Sequence, residues 1–218
     1  RPSTTSAPCG SPSAKAARKR LSKNSEIDER RKVMDDFSLY VLDITMNSVR
    51  AGATEIEISL TEDENGMLTF TVTDNGCGMS REQVEKLSDP FFTTRKTRSV
   101  GLGVPFLKML AVQTGGDVKI TSRSEKDFPK DHGTTLTATF GLHHIDFIPL
   151  GDLTETVVSL IQGNPDINFT FTHTTPRGQV RVCCAELRAV LGDVPLSEYE
   201  VLDWIRGSMN EEYAAMKG

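Results

Sequence analysis

The sequence is poor in cysteine, in aromatic residues and in long apolar stretches, and each scarcity excludes a class of protein. Its four cysteines form no CxxC pair and no Cys/His ligand spacing, which argues against a disulfide framework and favours a reducing, cytoplasmic setting. No apolar run approaches the roughly 20 residues of a membrane-spanning helix, and no apolar stretch follows the basic N-terminal residues as in a secretory signal. The net charge of −5 argues against broad nucleic-acid affinity, so we expect neither a membrane nor nucleic acid as a partner.

The first 34 residues differ from the remainder in charge and composition. Residues 1–24 carry six basic side chains and no acidic one, and they are rich in Ser, Pro, Ala and Thr. Such a segment has little to bury, which predicts a disordered basic tail over 1–34. A basic arm that contacts nucleic acid or an acidic partner is the alternative.

Helical and strand patterns alternate over residues 35–142. Asp35 and Asp36 can cap a helix whose apolar residues cover most of its sides, so this helix belongs inside a domain. The order of elements predicts a mixed sheet with helices on one face, a two-layer α/β sandwich. The predicted elements are a helix over 37–51, strands over 55–60 and 67–73, a helix over 81–87, a lid-like loop over 88–103, a helix over 105–114, and strands over 117–122 and 134–141.

The sequence patterns of residues 143–218 differ from those of residues 35–142. They predict a small C-terminal α+β unit of unknown role. Strand patterns cover 167–171 and 179–184, and helical patterns cover 153–161, 185–191 and 197–213. One of the adjacent Cys183 and Cys184 is expected to be buried. Trp204, between apolar Leu202 and Ile205, is expected in the core rather than in an interface.

Polar and glycine residues interrupt the first domain at four places. Asp43 and Asn47 are four residues apart, which puts both on one face of the buried helix. A glycine-punctuated loop, residues 74–79, follows the second strand. A Gly-x-Gly step at 101–103 precedes the next helix, and a Gly-Thr-Thr at 133–135 opens the last strand. Each feature alone is common in proteins of many kinds. All four in this order within one domain are rare, so together they are a specific signal.

These residues resemble the GHKL (Bergerat-fold) ATPase superfamily, and the histidine-kinase-like ATP-binding domain in particular. The run Asp43-Ile-Thr-Met-Asn47-Ser-Val-Arg-Ala-Gly-Ala-Thr resembles the N box, with an ending like that of MutL. Asp74-Asn-Gly-Cys-Gly-Met79 resembles the first glycine box, and Pro90-Phe-Phe-Thr-Thr-Arg-Lys96 the F box and lid of sensor kinases. Gly101-Leu-Gly-Val-Pro105 resembles the second glycine box, and Gly133-Thr-Thr135 the last.

The resemblance implies binding of ATP or ADP with Mg²⁺. An Asn47 amide oxygen suits Mg²⁺, a hard cation that keeps several waters. Asp74 is implied to accept from the adenine amino group, and Thr135 or, equally, Thr134 to support it. Backbone N–H groups at the start of the helix after Gly101 and Gly103 suit phosphate oxygens. The nucleotide-binding residues so implied are Asn47, Asp74, Gly76, Gly78, Met79, Phe92, Thr94, Lys96, Gly101, Leu102, Gly103, Val104, Thr134 and Thr135.

Asp43 departs from the family pattern, which has Glu at this position to polarise the attacking water or hydroxyl. Aspartate is one methylene shorter, so its reach to the γ-phosphate is reduced. We expect Asp43 to be the catalytic residue; the alternative is that it only orders a metal-bound water and turnover is slow.

Three functions follow from the resemblance. The first is a stand-alone regulatory protein whose slow ATP hydrolysis drives lid closure and acts on a protein partner, with residues 143–218 as the contact. The second is a kinase that phosphorylates a His or Ser of a partner in trans, and the third is a nucleotide sensor without turnover. Residues 1–34 are too short and polar for the phosphoacceptor hairpin of a sensor kinase. A homodimer is a further possibility.

Overall fold

The computed structural model describes residues 36–87 and 103–217, which hold six helices and six strands. In chain order these elements are α1 (Phe37–Arg50), β1 (Glu55–Glu62), β2 (Met67–Asp74), α2 (Arg81–Leu87), α3 (Gly103–Gln113), β3 (Val118–Arg123), β4 (Gly133–Gly141), α4 (Leu153–Gly163), β5 (Asn168–Thr175), β6 (Gly178–Cys183), α5 (Cys184–Leu191) and α6 (Tyr199–Lys217). The predicted tail and most of the predicted lid lie outside the described residues.

One mixed sheet of six strands organises the chain, in the order β3-β4-β2-β1-β5-β6. The pairs from β3 to β1 are antiparallel, β1 and β5 are parallel, and β5 and β6 are antiparallel. In the register, Leu60 faces Phe70 across β1 and β2, and Phe70 faces Ala138 across β2 and β4. Apolar residues therefore share one face of the sheet.

Among residues 36–87 and 103–217, helices cover this apolar face and leave the other open. Helices α1 and α3 pack on the central strands, α4 packs on α1, and α6 packs on α4 and β6. The rings of Phe37, Phe70 and Phe140 meet there with centroids 5.1–5.4 Å apart, which fixes the start of α1 over the sheet. The open face is rich in half-exposed threonines. The predicted two-layer α/β sandwich is confirmed.

The start of α1 lies where Asp36 predicts it, but without the expected cap. The Asp36 carboxylate accepts from the Ser38 hydroxyl at 2.6 Å and makes no hydrogen bond to a helix N–H. The Phe37 N–H instead donates to the Pro149 carbonyl at 2.7 Å. The helix ends at the Gly52 turn, where a φ of +75° suits glycine.

The C-terminal α+β segment extends the same sheet. Strand β5 runs parallel to β1, with Ile58 opposite Phe171, so residues 143–217 do not build a second sheet. Cys184 is buried, as expected for one of the two adjacent cysteines. Leu202 and Ile205 are also buried, but the prediction for Trp204 is wrong: its side chain is 61% exposed, because it projects from the opposite side of α6.

Candidate functional site

The polar side of α1 carries Asp43, which faces the start of α3. Asp43 and Asn47 are half-buried and lie one turn apart on the helix. The Asp43 carboxylate lies directly against Gly103, and a Cβ at residue 103 would overlap its Oδ2 atom. Glycine is therefore required at the first residue of α3 for Asp43 to keep this position.

Asn47 has an incompletely satisfied amide. Its Oδ1 accepts from the exposed Arg50 guanidinium at 3.0 Å, one turn further along α1. Its Nδ2 is buried and, within the described part of the chain, has no hydrogen-bond partner. A buried polar group without a partner is costly, so this amide fits a site that a polar ligand completes.

Two donors hold the Asp74 carboxylate at the end of β2. The Ser48 hydroxyl donates to Oδ2 at 2.6 Å, and the Gly76 N–H donates to Oδ1 at 2.9 Å. A carboxylate has about four lone-pair sites, so Asp74 keeps capacity for a further donor. Ser48 thus joins the N-box helix to the first glycine loop.

Ser48 was missed by the sequence interpretation, although the sequence carries a signal for it. Val41, Ile44 and Ser48 share the buried side of α1 at helical spacing, and Ser48 is only 5% exposed. A hydroxyl in an otherwise apolar stripe indicates a hydrogen-bond partner in the interior.

The first glycine loop is fastened to the end of α1. The Cys77 N–H donates to the Ala51 carbonyl at 2.9 Å, and the Asn75 Oδ1 accepts from the N–H groups of Thr54 and Glu55 at 2.8 and 3.0 Å. His132 donates from Nδ1 to the Gly76 carbonyl at 2.6 Å, since a carbonyl can only accept. These contacts fix the loop that carries the predicted nucleotide residues.

The loop glycines are also required by the packing of the chain on itself. Gly78 has a φ of +61°, and a Cβ there would collide with the Arg123 carbonyl. A Cβ on Gly76 would lie 2.9 Å from that of Ala51. Met79 is half-buried, and its N–H donates to the Ser122 hydroxyl at 2.8 Å.

The sheet register separates the two threonine candidates. Thr134 faces Asp74 across β4 and β2, on the helix-covered side, and its hydroxyl lies 2.8 Å from that of Ser122. Thr135 lies opposite Thr73 on the open side, with 3.2 Å between the two hydroxyls. The structure brings Thr134 to the site and does not bring Thr135 there.

Of the remaining predicted residues, Val104 is described and is buried within α3 at 6% exposure. Phe92, Thr94, Lys96, Gly101 and Leu102 lie outside the described residues. Over the ranges 36–87 and 103–217, no group of three or more His, Cys, Asp or Glu side chains could hold a metal ion. In the same ranges, no helix has both the length and the apolar character to cross a membrane.

A family model described as "Histidine kinase-, DNA gyrase B-, and HSP90-like ATPase" matches residues 34–144. The chain belongs to this family, and its residues 34–144 are a histidine-kinase-like ATPase domain of the GHKL type.

Its relatives include histidine kinases of signal transduction that it matches only in part. The sensor histidine kinase ZraS of Escherichia coli K12 is 29% identical over 108 residues, which are 49% of this chain and 23% of ZraS. The histidine-protein kinase AtoS of the same strain is 31% identical over 84 residues, 38% of this chain and 14% of AtoS. The match thus spans less than a quarter of either kinase.

The solved structures that the chain matches include the Aquifex aeolicus MutL ATPase domain complexed with ADP. It is 14% identical at a TM-score of 0.46, with 79% of this chain and 88% of that chain covered. The catalytic domain of histidine kinase ThkA is 26% identical at a TM-score of 0.32, with 44% and 61% covered.

Proposed function

We propose that this protein binds Mg-ATP between α1, the first glycine loop and the start of α3, and hydrolyses it slowly with Asp43 as the catalytic residue. One observation carries the proposal: α1 contacts both ends of the site. Ser48 holds Asp74, and Asp43, five residues earlier, lies against Gly103. Five residues span about 7.5 Å along a helix axis.

The Asp74 carboxylate supports adenine selectivity. Its two internal donors leave lone pairs that suit the amino group of adenine. Guanine presents an acceptor at the corresponding position, so it would leave the half-buried Asp74 carboxylate facing an oxygen. The cost of such an unpaired contact disfavours GTP.

Asn47 is the residue that would hold Mg²⁺. A single amide oxygen fits a cation that keeps most of its waters, and the unpaired Nδ2 of the same amide is a donor that suits a phosphate oxygen and not the cation. Bound Mg²⁺ would neutralise charge on the phosphates. Arg50 donates to one lone pair of the Asn47 oxygen, which leaves the second lone pair for a cation, and the positive guanidinium would oppose the approach of that cation.

Asp43 supports hydrolysis through its position. Its carboxylate is held at the first residue of α3 and can accept a proton from, or orient, a water beside a phosphate. The shorter reach of aspartate favours slow turnover, which suits a regulatory ATPase. Because α4 and β5 pack on α1 and β1, the C-terminal segment can pass the nucleotide state to a protein partner.

The test follows free phosphate and protein-bound label with γ-labelled ATP and Mg²⁺. Asp43→Asn should lower phosphate release by about 100-fold and leave ADP binding intact, since base catalysis contributes 10²–10⁴-fold. Asn47→Ala should lower both release and Mg-dependent affinity. Exposed Glu64 provides a charge-matched control as Glu64→Gln.

Each other outcome has a definite meaning. Label on the chain, or on an added partner, would replace hydrolysis by phosphotransfer. Binding without release would leave a nucleotide sensor, and absence of ATP binding would refute the proposed site altogether.

A further inference from the structure

The last helix, α6, is fixed to the domain along its inner side. Leu202, Ile205 and Met209 are buried there. The Thr154 hydroxyl donates to Asn210 Oδ1 at 3.1 Å, and the Arg206 guanidinium pairs with Glu155 of α4. The side of α6 that faces away from the sheet is consequently held in a fixed orientation.

We define the outer face of α6 as Glu200, Trp204, Gly207, Glu211 and Ala214, which recur at a spacing of three or four. All five are exposed, and Trp204, the only tryptophan of the chain, is 61% exposed. Tryptophan is among the residues enriched at interfaces, and here the described residues leave most of its ring uncovered.

Gly207 lies in the middle of this helix face, one turn after Trp204. A Cβ at this position would meet nothing within 4 Å, so no contact in the described chain requires glycine. Glycine within a helix is destabilising relative to alanine, but it lets another backbone approach closely. The Trp204 ring therefore projects from the helix, and the missing side chain at Gly207 leaves a notch beside it.

The negative charge of the outer face of α6 determines which kind of partner can bind there. Among the described residues, Glu200 and Glu211 are in no ion pair, and neighbouring Asp203 is paired with Arg206, which also binds Glu155. A second copy of this face would bring like charges together, which is unfavourable. A basic segment would match the carboxylates, and its cationic side chains could stack on Trp204.

We propose that the outer face of α6 is a docking site for a basic amphipathic helix of a partner protein. The partner helix lies along Trp204, approaches closely at Gly207, and places Lys or Arg side chains against Glu200 and Glu211. This inference goes beyond the proposed ATP site and needs no nucleotide, so either can fail without the other.

The single tryptophan gives the test a local readout. The probe is a blocked helical peptide of about 18 residues with Lys and Leu on opposite faces, and its control carries Glu in place of Lys. On titration of the full chain without nucleotide, we expect a saturable blue shift of Trp204 emission with the basic peptide and none with the acidic one. Salt should weaken the binding, since it screens exposed charges.

Two double variants distinguish binding of the peptide at the outer face of α6 from general attraction between the peptide and a negatively charged protein. Glu200→Lys with Glu211→Lys should weaken peptide binding by about tenfold, because two exposed ion pairs become repulsive contacts. The control, Glu64→Lys with Glu125→Lys, changes the net charge equally at exposed sites outside α6 and should leave affinity unchanged.

Gly207→Leu should abolish the emission shift, because the leucine side chain fills the notch. Leucine has a higher helix propensity than glycine, so the variant should keep the fold. The proposal is overturned by equal binding of both peptides, by equal losses in the two double variants, by no response of Trp204, or by unchanged binding of Gly207→Leu.

Discussion

Thr134 and Thr135 offer a matched pair of substitutions that tests the geometry of the site. They are neighbours on β4, but only Thr134 shares the sheet face of Asp74. Each hydroxyl makes a cross-strand contact with another hydroxyl, Thr134 with Ser122 at 2.8 Å and Thr135 with Thr73 at 3.2 Å. Valine keeps the β-branched shape and removes only the hydroxyl.

The two variants should lose similar stability but differ in nucleotide affinity. One neutral hydrogen bond contributes about 0.5–1.5 kcal/mol net, so both Thr134→Val and Thr135→Val should lower the free energy of unfolding by about that amount. A nucleotide hydrogen bond of the same strength, lost only in Thr134→Val, would weaken ADP binding by about 2- to 13-fold. Thr135→Val should bind ADP like the unaltered chain.

Calorimetric titration with ADP measures the affinities without turnover, and urea unfolding measures the stabilities. Equal affinities of the two variants would show that Thr134 does not contact the nucleotide. A weaker Thr135→Val would mean that the nucleotide lies on the open face, which would contradict the assigned site.

Three further predictions concern the supports of the site and the C-terminal strands. Ser48→Ala should lower the free energy of unfolding by about 1.5–3 kcal/mol in urea, because it removes a hydrogen bond to the Asp74 carboxylate; an unchanged value would contradict that bond. Gly103→Ala should displace Asp43 and slow phosphate release about 100-fold, while ADP affinity changes little. Burial lowers the pKa of His173, although Glu62 at 3.0 Å opposes this shift. The folded state therefore favours neutral His173. The stability that this preference contributes should be lost as the pH falls below about 6.5, the ordinary pKa of histidine. The difference in unfolding free energy between the unaltered chain and His173→Gln should shrink between pH 7.5 and 5; a constant difference would refute it.

Local patterns predicted the elements well. Helix α2 has the predicted bounds, and α1 and β2 differ from prediction by one residue at one end. Helix α1 and strand β2 are determined by nearby residues: glycine turns bound them at Gly52 and Gly66, and apolar periodicity marks their buried sides. Helix α3 begins at Gly103, two residues before the predicted start at 105, so the last residue of the predicted lid belongs to the helix.

Long-range pairing could not be predicted in the same way. Alternation along β4 shows that Thr134 and Thr135 face opposite sides, but only the pairing of Asp74 with Thr134 shows which side holds the site. The parallel pairing of β1 with β5 joins residues more than a hundred positions apart, and no local pattern encodes it. The exposure of Trp204 likewise depends on which side of α6 meets β6 and α4.

The topology has a consequence for how the nucleotide site and the C-terminal segment can communicate. Helix α1 carries Asp43, Asn47 and Ser48, and α4 packs directly on it. Strand β1, which follows α1, is hydrogen-bonded to β5 over seven residue pairs. If nucleotide binding shifts α1, α4 must move with it or lose its packing on α1. Since α4 is bonded to α6 through Glu155 and Arg206, the same shift would reach the helix that carries Trp204.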